Sequence, residues 1–263
     1  MINKKTIAIM RPLSTMEKSI SLANSFGFDI IAASMVEIVD MKDKKFKYFI
    51  NSVIECKADF VIFTSVNGIK FTLCKLTNES RMKFIEGLKS TNVITIGPIT
   101  KNALMKLGIK STIPDNDNYS SEGLLKCLCK KVKDKTVFIA RCFYGSKFFI
   151  PSLEKCGAIC FETNVYSLDM PNGAAQKKLI QEAIFGNISI FPFTSSIMVH
   201  NFVKQIKNYD LNLNVKDVLQ NSIVAAIGIP TADTLKQYGI TVDIIPSKCT
   251  FEAMIEDIAK EMR

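Results

Sequence analysis

The sequence predicts an α/β protein made of two similar doubly wound parallel-sheet domains. Three observations predict it. The chain repeats itself at a spacing of 130 to 131 residues. Short, almost continuously apolar runs alternate with amphipathic helical patterns. Serine, threonine and glycine recur where a run ends and a helix begins.

The repeat is read directly from the residues. Thr6-Ile7-Ala8-Ile9-Met10-Arg11 returns as Thr136-Val137-Phe138-Ile139-Ala140-Arg141. Phe63-Thr64-Ser65 returns as Phe193-Thr194-Ser195, again 130 residues on. Gly97, Thr100, Leu104, Gly108 and Ile109 return as Gly228, Thr231, Leu235, Gly239 and Ile240, now 131 residues on. Ser120 and Glu122 answer Thr250 and Glu252. The order is the same in both halves, as a duplicated unit requires.

Strands are predicted at residues 6–10, 29–35, 60–64, 93–97, 136–140, 159–166, 188–194, 223–228 and 242–245. Their near-continuous apolar character suits strands covered on both faces. Helical stripes fall between them. Phe46, Phe49, Ile50, Val53 and Ile54 form one, Phe149, Ile150, Leu153 and Cys156 a second, and Val199, Phe202, Val203 and Ile206 a third. Gly27, Gly108, Gly157 and Gly239 are placed to stop helices. Composition alone suggests one cut near residues 130–135. The turn at Ser167–Gly173 and the stretch 36–41 are weaker crossing points.

The 263 residues are 48% apolar, enough for two cores and too polar in every run for a membrane span. Residues 1–5, Met-Ile-Asn-Lys-Lys, open no signal-peptide core, so a cytoplasmic protein is expected. Eight cysteines without a C-x-x-C pair fit that compartment and are expected to be buried, reduced thiols. The net charge of +9 comes from 30 lysines and 4 arginines against 25 acids. The lysines are scattered, without the aromatic interleaving of single-strand binders, so an anionic small molecule is favoured over nucleic acid.

Each repeated polar residue follows a strand. In doubly wound sheets, ligands bind outside the carboxyl ends of the strands. Ser65 and Ser195 are good N-caps, and the first amides of the helices behind them attract a carboxylate. Gly97 and Gly228 would let backbone approach a ligand closely. Two such edges facing each other would make a cleft. The lone histidine, His200, nearly excludes a histidine triad or zinc site, and Asp40, Asp43, Glu162 and Asp169 are read as scattered surface acids. No nucleotide-binding glycine motif and no nucleophile elbow is present. What remains is a cofactor-free, metal-free protein that holds a polyanion.

Six motifs in this order resemble uroporphyrinogen-III synthases. They are Arg11-Pro12, Ile62 to Asn67, Ile96 to Thr100, Val165-Tyr166, Ala226 to Ala232, and Thr250 to Met254. The resemblance spans about residues 6 to 260. It implies two flavodoxin-like domains joined by two connectors, residues 1–36 with 169–263 forming one and 37–168 the other. It implies cyclisation of hydroxymethylbilane to uroporphyrinogen III, with loss of water and inversion of ring D. The substrate is a linear tetrapyrrole with eight carboxylates. Tyr166 is then the candidate catalytic donor to the leaving hydroxyl. Arg11 and Lys147 are candidates for carboxylate pairing, and Arg141 is a further substrate-binding candidate. Ser65, Val66, Asn67, Thr100, Gly145, Ser195, Ser196 and Ile197 would bind substrate mainly through backbone N–H groups; Thr64, Gly97, Thr194 and Gly228 are further substrate-binding candidates, and Thr231 would donate its hydroxyl to an acetate or propionate or simply cap its helix. A monomer without nucleic-acid or membrane partners is expected. Gly228-Ile229-Pro230-Thr231 departs from the family's more frequent Gly-Pro-x-Thr, so its turn is expected to differ. Lys147 stands where an arginine is frequent. The alternative is a non-catalytic two-lobed binder of a small polyanion.

Overall fold

A computed structural model describes residues 5–114 and 118–262. In chain order the first elements are β1 (Thr6–Ile9), α1 (Leu13–Ser25), β2 (Asp29–Ala32), β3 (Glu37–Asp40), α2 (Phe46–Ile54), β4 (Phe60–Phe63), α3 (Val66–Cys74) and α4 (Asn78–Lys89). There follow β5 (Asn92–Thr95), α5 (Pro98–Met105), α6 (Ser121–Leu128), β6 (Thr136–Cys142), α7 (Phe149–Lys155) and β7 (Ile159–Asp169). The chain ends with α8 (Ala174–Ile184), β8 (Ile190–Phe193), α9 (Ser196–Tyr209), α10 (Val215–Leu219), β9 (Ile223–Ala226), α11 (Ile229–Gln237) and α12 (Phe251–Glu261).

The chain divides into two compact units. A continuous unit runs from Ile38 to Leu168, and a discontinuous unit joins the residues up to Glu37 with those from Asp169 onward. No boundary lies near residues 130–135. The single cut suggested by composition is therefore corrected: β6, which starts there, pairs with β4 on one side and β7 on the other.

The continuous unit has a five-stranded sheet of order β3-β7-β6-β4-β5, and the discontinuous unit a four-stranded sheet of order β2-β1-β8-β9. The repeat equates β1 with β6, β8 with β4 and β9 with β5. Under that correspondence β2-β1-β8-β9 and β7-β6-β4-β5 are the same arrangement, parallel in every pair. Alternation explains the continuous apolar runs. In β4, Val61 and Phe63 enter one core with Phe49, Phe84 and Phe138, while Phe60 and Ile62 enter another with Leu124, Val137 and Phe149. Both faces are covered by helices, so neither register position tolerates a polar side chain.

Two strand assignments change. β3 was read only as a crossing point; its Glu37-Ile38-Val39-Asp40 is too short and polar-flanked to announce a strand. Residues 242–245 form no strand; Ile244 makes a single parallel bridge to Ala225, and Pro246 supplies no further amide. Gly27, Gly108, Gly157 and Gly239 end their helices at φ between 71° and 87°, the left-handed conformation that favours glycine.

Candidate functional site

The connections leave each sheet in opposite directions at one point. In the continuous unit β4 leads outward to β5 and β6 outward to β7, so the paths diverge between β4 and β6. In the discontinuous unit they diverge between β1 and β8. Crevices at such points, beyond the carboxyl ends of the strands, are where ligands bind in this architecture. Thr64, Ser65 and residues 142–147 stand at the first, and Arg11, Thr194 and Ser195 at the second.

The turn after β4 is built by Ser65. Its backbone is extended (φ −165°, ψ 159°) and its Oγ accepts the Gly68 N–H at 3.0 Å. This cap leaves the amides of Val66 and Asn67, in the first turn of α3, without helical acceptors. The turn after β8 repeats it: Ser195 Oγ accepts the Met198 N–H at 3.3 Å, leaving Ser196 and Ile197. Thr64 and Thr194 precede these caps and are half-buried. The Ser196 hydroxyl donates to Pro230 O and accepts from Thr234, so that side chain serves α11.

The two turns differ at one atom. Ser65 Oγ also lies 3.0 Å from the Tyr166 hydroxyl, whereas Ser195 Oγ has no such partner among the described residues. Tyr166 reaches this place through a register shift. Arg141 pairs with Asn164 but Cys142 with Tyr166, so one extra residue of β7 is taken up there. Such a bulge re-aims the side chains beyond it. The Tyr166 ring stacks on Phe71 at 5.6 Å, and the residue is 8% exposed. Burial pushes its phenol pKa above the ordinary value, with the Ser65 hydrogen bond acting the other way. Lys75, which sequence patterning did not single out, braces the strand: its Nζ donates to Val165 O at 2.6 Å and Met41 O at 2.7 Å and pairs with Asp40 at 2.9 Å.

The two glycine turns are alike. Gly97 and Gly228 are extended N-caps of α5 and α11, at φ −174° and −177°. Moving proline from the first helical position (Pro98) to the second (Pro230) does not reshape the turn, because neither position has a helical acceptor for an N–H. The expected difference at Gly228 is thus corrected. The space beside each glycine on its Cβ side is occupied by the protein. A Cβ on Gly97 would lie 3.2 Å from the Tyr119 side chain, and one on Gly228 3.2 Å from Cys249 Sγ. The protein itself fills both spaces, with the residue before each following N-cap, Ser120 or Thr250. Thr100 and Thr231 are 4% exposed in the first turns of those helices.

The arginines are largely committed. Arg141 is 6% exposed; its Nε donates to Glu162 at 2.6 Å and one terminal nitrogen to Ser146 O at 2.7 Å. It shapes the following turn rather than standing free, and Glu162 is its partner rather than a scattered acid. A Cβ on Gly145 would come within 2.8 Å of that guanidinium, so the turn requires glycine here for close packing. Arg11 donates to Ser19 Oγ at 3.0 Å and lies over the Phe251 ring at 4.6 Å; burial lowers its pKa, and nearby Glu252 opposes that. Lys147 is exposed and has no partner among the described residues.

The cysteines are also corrected. Cys129 and Cys156, the C-caps of α6 and α7, form a disulfide with Cα atoms 5.1 Å apart. Packing of α6 on α7 brings them together, which a separation of 27 residues conceals. Cys56, Cys74 and Cys249 are exposed and Cys127, Cys142 and Cys160 half-buried. Among the described residues no group of three histidine, cysteine or acidic side chains could hold a metal ion. No helix there is long and apolar enough to cross a membrane.

Comparison with known proteins bears on this geometry. Residues 18–256 match the family model of uroporphyrinogen-III synthase HemD. YjjA of Bacillus subtilis is 28% identical over 97% of this chain and 95% of its own. A uroporphyrinogen-III synthase of Chlorobaculum parvum is 25% identical over 77% of this chain and 79% of its own. The crystal structure of a mutant uroporphyrinogen III synthase from Thermus thermophilus shares the fold with a TM-score of 0.71, at 15% identity, covering 98% of this chain and all of that one. With a family model matched across most of its length, this chain belongs to the uroporphyrinogen-III synthase family of cyclising hydro-lyases in porphyrin biosynthesis.

Proposed function

We propose that this chain cyclises hydroxymethylbilane to uroporphyrinogen III, with Tyr166 as the group that assists departure of water. The observation that carries this reading is the Tyr166–Ser65 hydrogen bond, 3.0 Å long, at the point where the connections diverge. Ser65 Oγ already accepts the Gly68 N–H. If its own proton is given to the phenol oxygen, the phenol proton is left for the Cys142 sulfur, its other partner, or for a leaving hydroxyl that takes that partner's place. Burial keeps that proton in place at neutral pH.

The remaining residues bind and orient. First-turn amides at Val66 and Asn67, and at Ser196 and Ile197, are donors suited to carboxylates. Lys147 adds a charge without a partner among the described residues. Loss of the hydroxyl gives an azafulvene, and ring D attacks it through its substituted carbon to form a spiro intermediate, which fragments and recloses. Little proton transfer is needed, so orientation can carry much of the barrier, and well-placed closure is worth roughly 7–11 kcal/mol. The uncatalysed closure gives the uninverted isomer I. Incubating the protein with hydroxymethylbilane and separating the isomers tests the proposal. Isomer III is the expected product; isomer I alone, at the spontaneous rate, rejects it.

A further inference from the structure

The turn after β6 displays two aromatic rings that the reading above leaves without work. Phe143 is 51% exposed and Tyr144 60%, and their rings meet edge to face at 5.2 Å. Exposing two adjacent aromatic side chains is unfavourable unless something covers them. They are not on a loose loop. Gly145 N–H closes the turn on Cys142 O at 3.0 Å, and Arg141 holds Ser146 O from below while pairing with Glu162. The Phe143 N–H donates to Tyr166 O at 3.0 Å, which fixes the pair beside the proposed proton donor. Three residues past Tyr144, Lys147 offers a cation without a partner among the described residues.

We infer that Phe143 and Tyr144 form a stacking platform for one carboxylate-bearing pyrrole ring of the substrate, with Lys147 meeting that ring's carboxylate. The inference rests on the proposed function and deepens it. Every ring of the substrate carries carboxylates, so amide turns alone cannot tell one ring's face from another. An aromatic platform reads the ring itself, and its position beside Tyr166 places the ring next to the departing hydroxyl. Charge complementarity and a fixed, exposed π surface select a flat anionic heterocycle as the occupant.

The sequence contains no tryptophan, so Phe143→Trp installs a single fluorophore on the platform. Titration with uroporphyrinogen III should then quench or shift the emission saturably. Phe143→Ala and Tyr144→Ala should each raise KM by roughly threefold to tenfold, and the Phe143→Tyr change should restore it. The fraction of isomer I should rise in the double alanine variant. An unchanged emission at saturating product, or an unchanged KM and isomer ratio in the double variant, overturns the platform while wild-type synthesis of isomer III keeps the enzymatic reading intact. A change in oligomeric state without a change in KM also overturns it, making this face a self-contact. Failure of the wild type to form isomer III rejects the underlying reading instead.

Discussion

Replacing Tyr166 with phenylalanine removes one oxygen and leaves the packing in place. The ring stays stacked on Phe71, and Ser65 Oγ keeps the Gly68 N–H. The loss is the 3.0 Å hydrogen bond to Ser65, worth about 0.5–1.5 kcal/mol net, and a weaker one to the Cys142 thiol. For a protein of this size that lowers Tm by no more than about 2–5 °C. The effect on chemistry is expected to be far larger. A positioned donor to a leaving group contributes about 10²–10⁴-fold, so kcat for isomer III should fall by at least ~10²-fold. KM should change little, because an uncharged phenol contributes little to carboxylate binding. The assay is the initial rate of isomer III, separated from the spontaneous isomer I background. A Tyr166→Phe rate within twofold of wild type, with the fold intact by circular dichroism, would refute the role of the hydroxyl. The same residue sets a pH dependence. Because burial raises its pKa, the folded protein keeps a proton that the unfolded chain releases. Its contribution is therefore intact below the unfolded value near 10 and is lost as pH climbs above it, a loss that Tyr166→Phe should reduce.

Other perturbations separate structure from chemistry. Ser65→Ala and Ser195→Ala each remove an N-cap and should cost about 1 kcal/mol in chemical denaturation. Only Ser65→Ala should also slow isomer III formation, since only Ser65 meets Tyr166; equal kinetic losses would count against the asymmetry. Glu162→Gln leaves the 6% exposed Arg141 without its carboxylate and should destabilise by about 2 kcal/mol while raising KM through the loosened turn. An unchanged denaturation midpoint and KM would show that the pair does not hold the turn. Burial pushes the Cys160 thiol up to about 11. At pH 8 only about one molecule in a thousand carries that thiolate, so alkylation mapped by mass spectrometry should lag well behind exposed Cys56 and rise tenfold per pH unit. Equal rates at pH 8 would contradict this.

The duplicated residues made the architecture legible. Thr64-Ser65 and Thr194-Ser195 mark equivalent sheet edges because a cap needs only local sequence, and local sequence is what a repeat preserves. Tyr166 came through resemblance, and its hydrogen bond to Ser65 spans 101 residues that no local pattern links. Arg141 stands out as the repeat of Arg11, but its partner Glu162 lies on the neighbouring strand, where pairing depends on a register invisible before folding. Gly97 and Gly228 mark turns in the repeat, but the Tyr119 and Cys249 side chains that lie against them come from more than 20 residues away. Phe143 and Tyr144 passed unnoticed because exposure, not identity, is what makes them informative. The disulfide escaped for the same reason as the ion pair, since two helix ends meet only once α6 and α7 pack.

The central claim is that first-turn amides of the repeated helices take the carboxylates of a tetrapyrrole. Backbone ¹⁵N–¹H spectra recorded while uroporphyrinogen III is added test it most directly. The amides of Val66, Asn67, Ser196 and Ile197 should each shift saturably, and so should that of Phe143 beside Tyr166. Saturable shifts confined to residues away from these turns, with those five amides unmoved, would contradict the account.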